Sequence, residues 1–216
     1  RDKNQGYEYN NEAELSLPEG YVKQKEDRET GTLHILHKSD ILASKTPEKS
    51  RVGVEDQLTW NISLSNYSST IANVSFIDVL PFNGSEAKTE DGTVTNFHGT
   101  LDFASAEFTG RMPKGAKLYY TSHDPKDIDP NVADQSGVKW VDSVDALGGA
   151  SKVTAIKVEV PQFGKAGSRF INVALNMIAK GNKNGDTYVN KMSQSKTENP
   201  IDIPAPGASS ITSLAS

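Results

Sequence analysis

The stretch Leu58-Thr59-Trp60-Asn61-Ile62-Ser63-Leu64 alternates apolar and polar residues without a break. Successive side chains of an extended chain point to opposite faces. Leu58, Trp60, Ile62 and Leu64 therefore share one face, and Thr59, Asn61 and Ser63 the other. Such a segment reads as a strand half-buried in a two-layer structure. Working outward, the polar turn Asn66–Thr70 leads into a second apolar run, Ile71 to Leu80. Pro81-Phe82-Asn83-Gly84-Ser85 stops that run, because proline cannot donate to a ladder and Asn-Gly favours a turn. Further strands are predicted at 99–103, 117–121, 138–141 and 153–160. Residues 170–178 are almost continuously apolar and predict a central strand. The turn-rich segment 180–186 then predicts a hairpin, with 187–194 returning as the partner of that strand. Helix signals are poor, and the best candidate, Asp142 to Leu147, is short. Many short strands punctuated by Gly, Pro and Asn predict an all-β sandwich.

The chain has 216 residues, 35% of them hydrophobic, enough for one well-buried domain or two small ones. Its formal charge of -5, with lysines scattered among acids, argues against nucleic acid as a partner. No apolar run approaches the roughly 20 residues that span a bilayer, so no membrane insertion is expected. The absence of Cys removes disulfides, thiol nucleophiles and Cys-ligated zinc together. The polar opening and the Pro/Ala/Ser-rich end read as cuts from a longer precursor. The expected organisation is a tail or linker strand over residues 1–30, a β-sandwich over 31–198 and a Pro/Ala/Ser-rich linker over 199–216. Gly6-Tyr7-Glu8-Tyr9-Asn10-Asn11 also echoes Gly185-Asp186-Thr187-Tyr188-Val189-Asn190. The echo admits three readings: residues 1 to about 20 as the last strand of a preceding similar domain in a tandem array, a strand added to this domain's own sheet, or chance between two polar hairpins.

Three segments carry a resemblance: Ala43-Ser44-Lys45-Thr46-Pro47; Gly53-Val54-Glu55-Asp56 through Trp60 to Asn66; and Asn73 through Asp78-Val79-Leu80-Pro81. Together they resemble the DUF11-like and isopeptide-forming immunoglobulin-like repeat domains of Gram-positive cell-surface adhesins and pilins. The pattern is a Lys on the first strand, Gly-Asp four residues ahead of an aromatic, a strand ending Asp-x-Leu-Pro, and a final strand bearing Asn. This chain departs from it where Glu55, not glycine, precedes Asp56. The resemblance covers residues 40 to 195 and implies an immunoglobulin-like antiparallel β-sandwich. It further implies an extracellular location on the bacterial surface or wall, a non-enzymatic role as stalk or spacer, no cofactor, and neighbouring domains of the same protein as partners. The alternative is an adhesive module that contacts a host protein or glycan through its long loops, 82–98 and 122–137.

In some of those domains a Lys side chain bonds covalently to an Asn side chain. The residues that match here are Lys45 and Asn190, with Asp78 as the assisting acid. Burial between sheets disfavours the ammonium and keeps a neighbouring carboxyl protonated. The amine is then a nucleophile and the acid can polarise the amide. Lys38 competes with Lys45, and Asn172 and Asn176 compete with Asn190. Asp78 read alone is equally a turn cap.

Other constellations are weaker. Asp124, Asp127, Asp129 and Asp134 scatter along one loop, as calcium ligands or as a solvated acidic face, without the spacing of an EF-hand. His34 and His37 lie three apart and so on opposite faces of a strand. There is no Gly-x-Ser-x-Gly elbow and no phosphate-cradling glycine loop. Asn-x-Ser sequons occur at Asn61, Asn66, Asn73 and Asn83. Tyr119, Tyr120 and Trp140 read as an aromatic platform or as strand packing.

Overall fold

The computed structural model describes residues 7–14, 28–35, 41–132, 134–195 and 208–214, the first two segments as backbone. Apart from a separate two-stranded hairpin near the start, they form an all-β sandwich. In chain order the strands are β1 (Tyr7–Glu14), β2 (Arg28–Ile35), β3 (Ile41–Pro47), β4 (Arg51–Gly53), β5 (Gln57–Asn66), β6 (Ala72–Val79) and β7 (Thr100–Phe108). They continue with β8 (Lys117–Thr121), β9 (Ala155–Phe163), β10 (Phe170–Lys180), β11 (Thr187–Asn190), β12 (Met192–Ser195) and β13 (Ser209–Leu214). No helix among the described residues is long and apolar enough to cross a membrane.

Two four-stranded sheets make the sandwich, one ordered β3-β5-β10-β7 and the other β12-β6-β9-β8. Both are antiparallel throughout. The alternation in β5 is realised as read: Leu58, Trp60, Ile62 and Leu64 are all buried. Ile62, Leu64, Ile171 and Val173 of the first sheet meet Val74, Phe76, Val158 and Val160 of the second in one core. A third sheet, β11-β13-β4, closes one end. Its Val52, Tyr188 and Ile211 pack with Trp60, Leu175 and Met177. On the outer face of β6 and β9, Ile77 and Ala155 are covered by Ile128, Val138 and Trp140 from the long loop after β8.

Three expectations of secondary structure are corrected. Residues 187–194 do not pair with β10, because β5 and β7 already occupy both of its edges. The segment instead splits, β11 pairing with β13 and β12 with β6. Residues 138–141 make a single bridge, Val141 to Tyr120, rather than a strand. Asp142–Leu147 yields only a 3₁₀ turn over Val144–Leu147, closed by the Ser143 cap and left-handed Gly148. The last part of the expected linker is a strand: β13 lies between β11 and β4, with Ile211 fully buried. At the other end, β1 pairs with β2 over Tyr7↔Ile35 to Glu14↔Arg28, so the expected boundary at residue 30 falls inside a paired strand.

Candidate crosslinking site

Three strands from three sheets converge at one end of the core. In β3, Ile41 and Lys45 lie on the buried face, with Ala43 partly buried and packed against the core between them. In β6 the inward set is Val74, Phe76 and Asp78, and in β11 it is Tyr188 and Asn190. Each residue of interest therefore takes the next inward position after apolar neighbours, and the two-residue period of the strand buries it with them. Lys45, Asp78 and Asn190 are 4%, 1% and 0% exposed.

The Lys45 Nζ donates to Asp78 Oδ2 in a short, fully buried ion-pair contact. Burial pushes the Lys45 ammonium below its ordinary value, while the nearby Asp78 charge and its hydrogen bond pull the other way. Burial pushes the Asp78 carboxyl up, against the attraction of Lys45 and a smaller contribution from the Asn190 side chain. In both groups desolvation is the largest influence, and it favours the neutral amine beside the neutral acid. The Asn190 amide lies close enough to act on Asp78, yet neither Asn190 Oδ1 nor Nδ2 makes a hydrogen bond of good geometry among the described residues. Asp78 Oδ1 is likewise buried and unpartnered. Buried polar atoms are rarely left so, because each unmade bond costs about 1–3 kcal/mol.

The competing candidates fall elsewhere. Lys38 lies outside the described residues. Asn172 accepts from Ser63 Oγ at 2.9 Å, and Asn176 accepts from Thr59 Oγ1 at 2.7 Å and donates to Ser105 Oγ at 3.0 Å. Both sit on the opposite face of β10 from Ile171, Val173, Leu175 and Met177. In the acidic loop, Asp124, Asp129 and Asp134 each accept from a backbone N–H two residues on. Asp127 belongs to a 3₁₀ turn, and no three described His, Asp or Glu side chains converge in a metal-binding cluster. Tyr119 and Trp140 hold Lys157 Nζ over their rings at 4.8 and 5.2 Å, which occupies the faces a planar ligand would need. His37 lies outside the described residues.

Ser209 and its strand were missed. Ser209 stands directly opposite Asn190 in the β11–β13 ladder. The alternation Ser209, Ile211, Ser213 was available as a signal, but a Ser-rich stretch after three prolines reads as linker.

No family model matches the chain, and no curated protein matches it by sequence. Among solved structures it is similar to a cohesin module from a Clostridium perfringens family 33 glycoside hydrolase, at 10% identity and a TM-score of 0.41, over 82% of this chain and 100% of that one. It is similar to the seventh ScaB type I cohesin of Pseudobacteroides cellulosolvens, at 14% identity and a TM-score of 0.37, over 81% and 94%. It is also similar to the collagen-binding domain of a Staphylococcus aureus adhesin, at 11% identity and a TM-score of 0.35, over 82% and 99%.

Proposed function

We propose that this chain is a load-bearing spacer module of a bacterial cell-surface protein, stapled by an amide bond between Lys45 and Asn190. The observation that carries the reading is the buried Lys45–Asp78 pair with an unpartnered Asn190 amide beside it. The neutral Lys45 Nζ attacks Asn190 Cγ, and protonated Asp78 donates toward the amide oxygen as negative charge develops there. The new Nζ–Cγ bond forms, the Cγ–Nδ2 bond breaks, and a proton from the amine passes through Asp78 to the departing nitrogen. Lysine amine and asparagine amide thus give a secondary amide and ammonia, with no co-reactant. Confinement of the three groups supplies effective concentration in place of an external catalyst.

The bond closes a loop between the first strand of the sandwich and β11. By the chain-entropy model used for disulfides, a loop of roughly 150 residues contributes about 5 kcal/mol. A chain without cysteine has no disulfide to serve that purpose. A pull on the two ends cannot then separate β3 from β11. Intact-mass measurement tests the reading. The expected mass is one ammonia below the sequence value, and Lys45→Ala or Asn190→Ala should each restore the full mass for the substituted chain. An unmodified mass in the folded wild-type protein defeats the staple.

A second reading, an adhesive module, is favoured by one observation. Phe82, Ser85, Ala87, Pro125, Ile128 and Asn131 line a cleft of about 510 Å³ that reaches Val189 and Ser193. Saturable binding on glycan or matrix-protein arrays, lost on Phe82→Ala, would support it. Absence of binding leaves the spacer role.

A further inference from the structure

We infer that docking of the C-terminal strand β13 completes the crosslinking site, so that the bond forms only after the last strand is in place. The inference rests on the Lys45–Asn190 reading and deepens it. Asn190 pairs with Ser209 in register, and directly opposed residues of an antiparallel ladder share a face at roughly 5 Å between Cβ atoms. Ser209 thus shares the inward face of Asn190. Its Oγ is buried and has no hydrogen-bond partner among the described residues, like both amide atoms of Asn190 and Oδ1 of Asp78. A hydroxyl can donate to the amide oxygen and accept from the amide nitrogen. Opposed to Asn190 but not hydrogen-bonded to it in this arrangement, Ser209 is assigned the role of a positioning residue that bonds the amide as Lys45 attacks.

The topology makes the same connection. β13 is the middle strand of its sheet, antiparallel to β11 on one side and parallel to β4 on the other. β4 follows directly on β3, which bears Lys45, while β11 bears Asn190. The strand thus lies between the two flanks that carry the reacting groups. Three features seat it. Ile211 is fully buried beside the core. Asn182 Nδ2 donates to the buried Ser213 Oγ. The backbone of Thr212 donates to Ser50 O at 2.9 Å, and that of Ser213 to Asp186 O at 2.8 Å. Without β13, Asn190 loses its ladder neighbour and water reaches the amide. A hydrated amine holds its proton and cannot attack. β13 also follows β3, β6 and β11 in chain order, so the strands bearing Lys45, Asp78 and Asn190 precede it.

The test follows intact mass over time during cell-free synthesis of the full chain as wild type, Ile211→Asp, Ile211→Ala and Ser209→Ala. Amide protection of β5 and β10 reports the fold of each variant. Wild type should lose one ammonia. Ile211→Asp should keep its full mass while the sandwich stays protected. Ile211→Ala and Ser209→Ala should lose ammonia about tenfold more slowly. If Ile211→Asp does not fold, the Ile211→Ala rate decides in its place. Wild-type rates in the isoleucine variants overturn the inference while leaving the crosslink intact. A wild-type rate in Ser209→Ala alone removes the hydroxyl from the mechanism and so overturns that part. A wild-type protein that never loses ammonia defeats the crosslink reading itself, a separate result.

Discussion

Two asparagines are buried at different places in this sandwich, and they live under opposite conditions. Asn66, at the end of β5, has every side-chain bond it needs. Its Nδ2 donates to Thr70 O at 3.0 Å and Phe163 O at 3.1 Å, and its Oδ1 accepts from Ser68 N at 2.9 Å and Ser68 Oγ at 2.6 Å. The surroundings are shaped to it: a Cβ on left-handed Gly164 would lie 2.5 Å from Nδ2, so only glycine fits. Asn190 is as deeply buried and has none of those bonds. One amide is a fastener for a turn, and the other carries a desolvation cost with no local return. In the proposed reaction the Asn190 amide, which lies close enough to act on Asp78, loses its nitrogen as ammonia to Lys45. The contrast separates a hydrogen-bonded amide from the one proposed to react more sharply than residue type or burial can.

The largest effect should come from breaking the ion pair that activates the second site. Asp78→Ala should abolish the ammonia loss and leave Lys45 buried without its partner. Removing one member of the buried pair strands the hydrogen-bonding group of the other, which costs about 1–3 kcal/mol beyond the loss of the staple. Replacing both members, as Lys45→Met with Asp78→Leu, should also abolish the mass change yet recover most of that stability. Denaturant midpoints of the two proteins, each verified by mass, decide the matter. A double variant no more stable than Asp78→Ala would mean that the pair is not a buried charge problem.

Next in size is the direct exchange between the two amides. Asn66→Ala should cost about 2–3 kcal/mol through the partners it strands, with the mass change unaltered. In a Lys45→Met/Asp78→Leu background, where no bond can form, Asn190→Ala should cost under about 1 kcal/mol, since no hydrogen bond is lost. Equal costs at both positions would erase the distinction drawn here.

A pH comparison sharpens it further. In Asn190→Ala the Lys45–Asp78 pair stays free. Burial raises Asp78 above its ordinary 3.8, so as pH climbs past that value the unfolded carboxyl ionises first and stability falls. Burial lowers Lys45 below 10.5, so toward that pH the unfolded ammonium still holds a proton that the folded amine has shed, and stability rises. Urea unfolding of Asn190→Ala, taken as a difference from the same protein with Lys45→Met and Asp78→Leu, should trace a shallow bowl across these limits. A flat difference would show that the pair keeps ordinary titration in the fold.

Much of this arrangement was legible in residue order, for a physical reason. A strand's period of two puts Lys45 in phase with Ile41 and Asp78 in phase with Val74 and Phe76, so burial of the charged pair follows from the same alternation that identified β5. Asn190 is in phase with Tyr188 in the same way. What the chain order hid was partnership. Nothing local says that β10 is already paired on both edges, or that the segment after it must leave for another sheet. The strand β13 was hidden more completely. Its six residues contain two apolar side chains, and its stability comes from edges offered by β4 and β11, some 160 and 20 residues upstream.

The smallest expected effect lies at the departure from the resembled pattern. Glu55 stands where the pattern has glycine, and it adopts φ 64°, the left-handed region that a Cβ disfavours. The strain is held in place by a third buried asparagine, Asn182, whose Oδ1 accepts from the Glu55 N–H at 2.8 Å while its Nδ2 reaches Ser213 in β13. Asn182 therefore belongs with Asn66 among the satisfied amides, and the backbone at residue 55 is bent to satisfy it. Glu55→Gly should relieve the strain and raise stability by about 1 kcal/mol, seen as a higher denaturant midpoint with an unchanged slope and an unchanged intact mass. Asn182→Ala in the glycine background should then return at least that much, because the Glu55 amide position and the Ser213 hydroxyl both lose their partner. A glycine substitution that lowers the midpoint would mean that the glutamate side chain, and not the Asn182 hydrogen bond, holds this turn against β13.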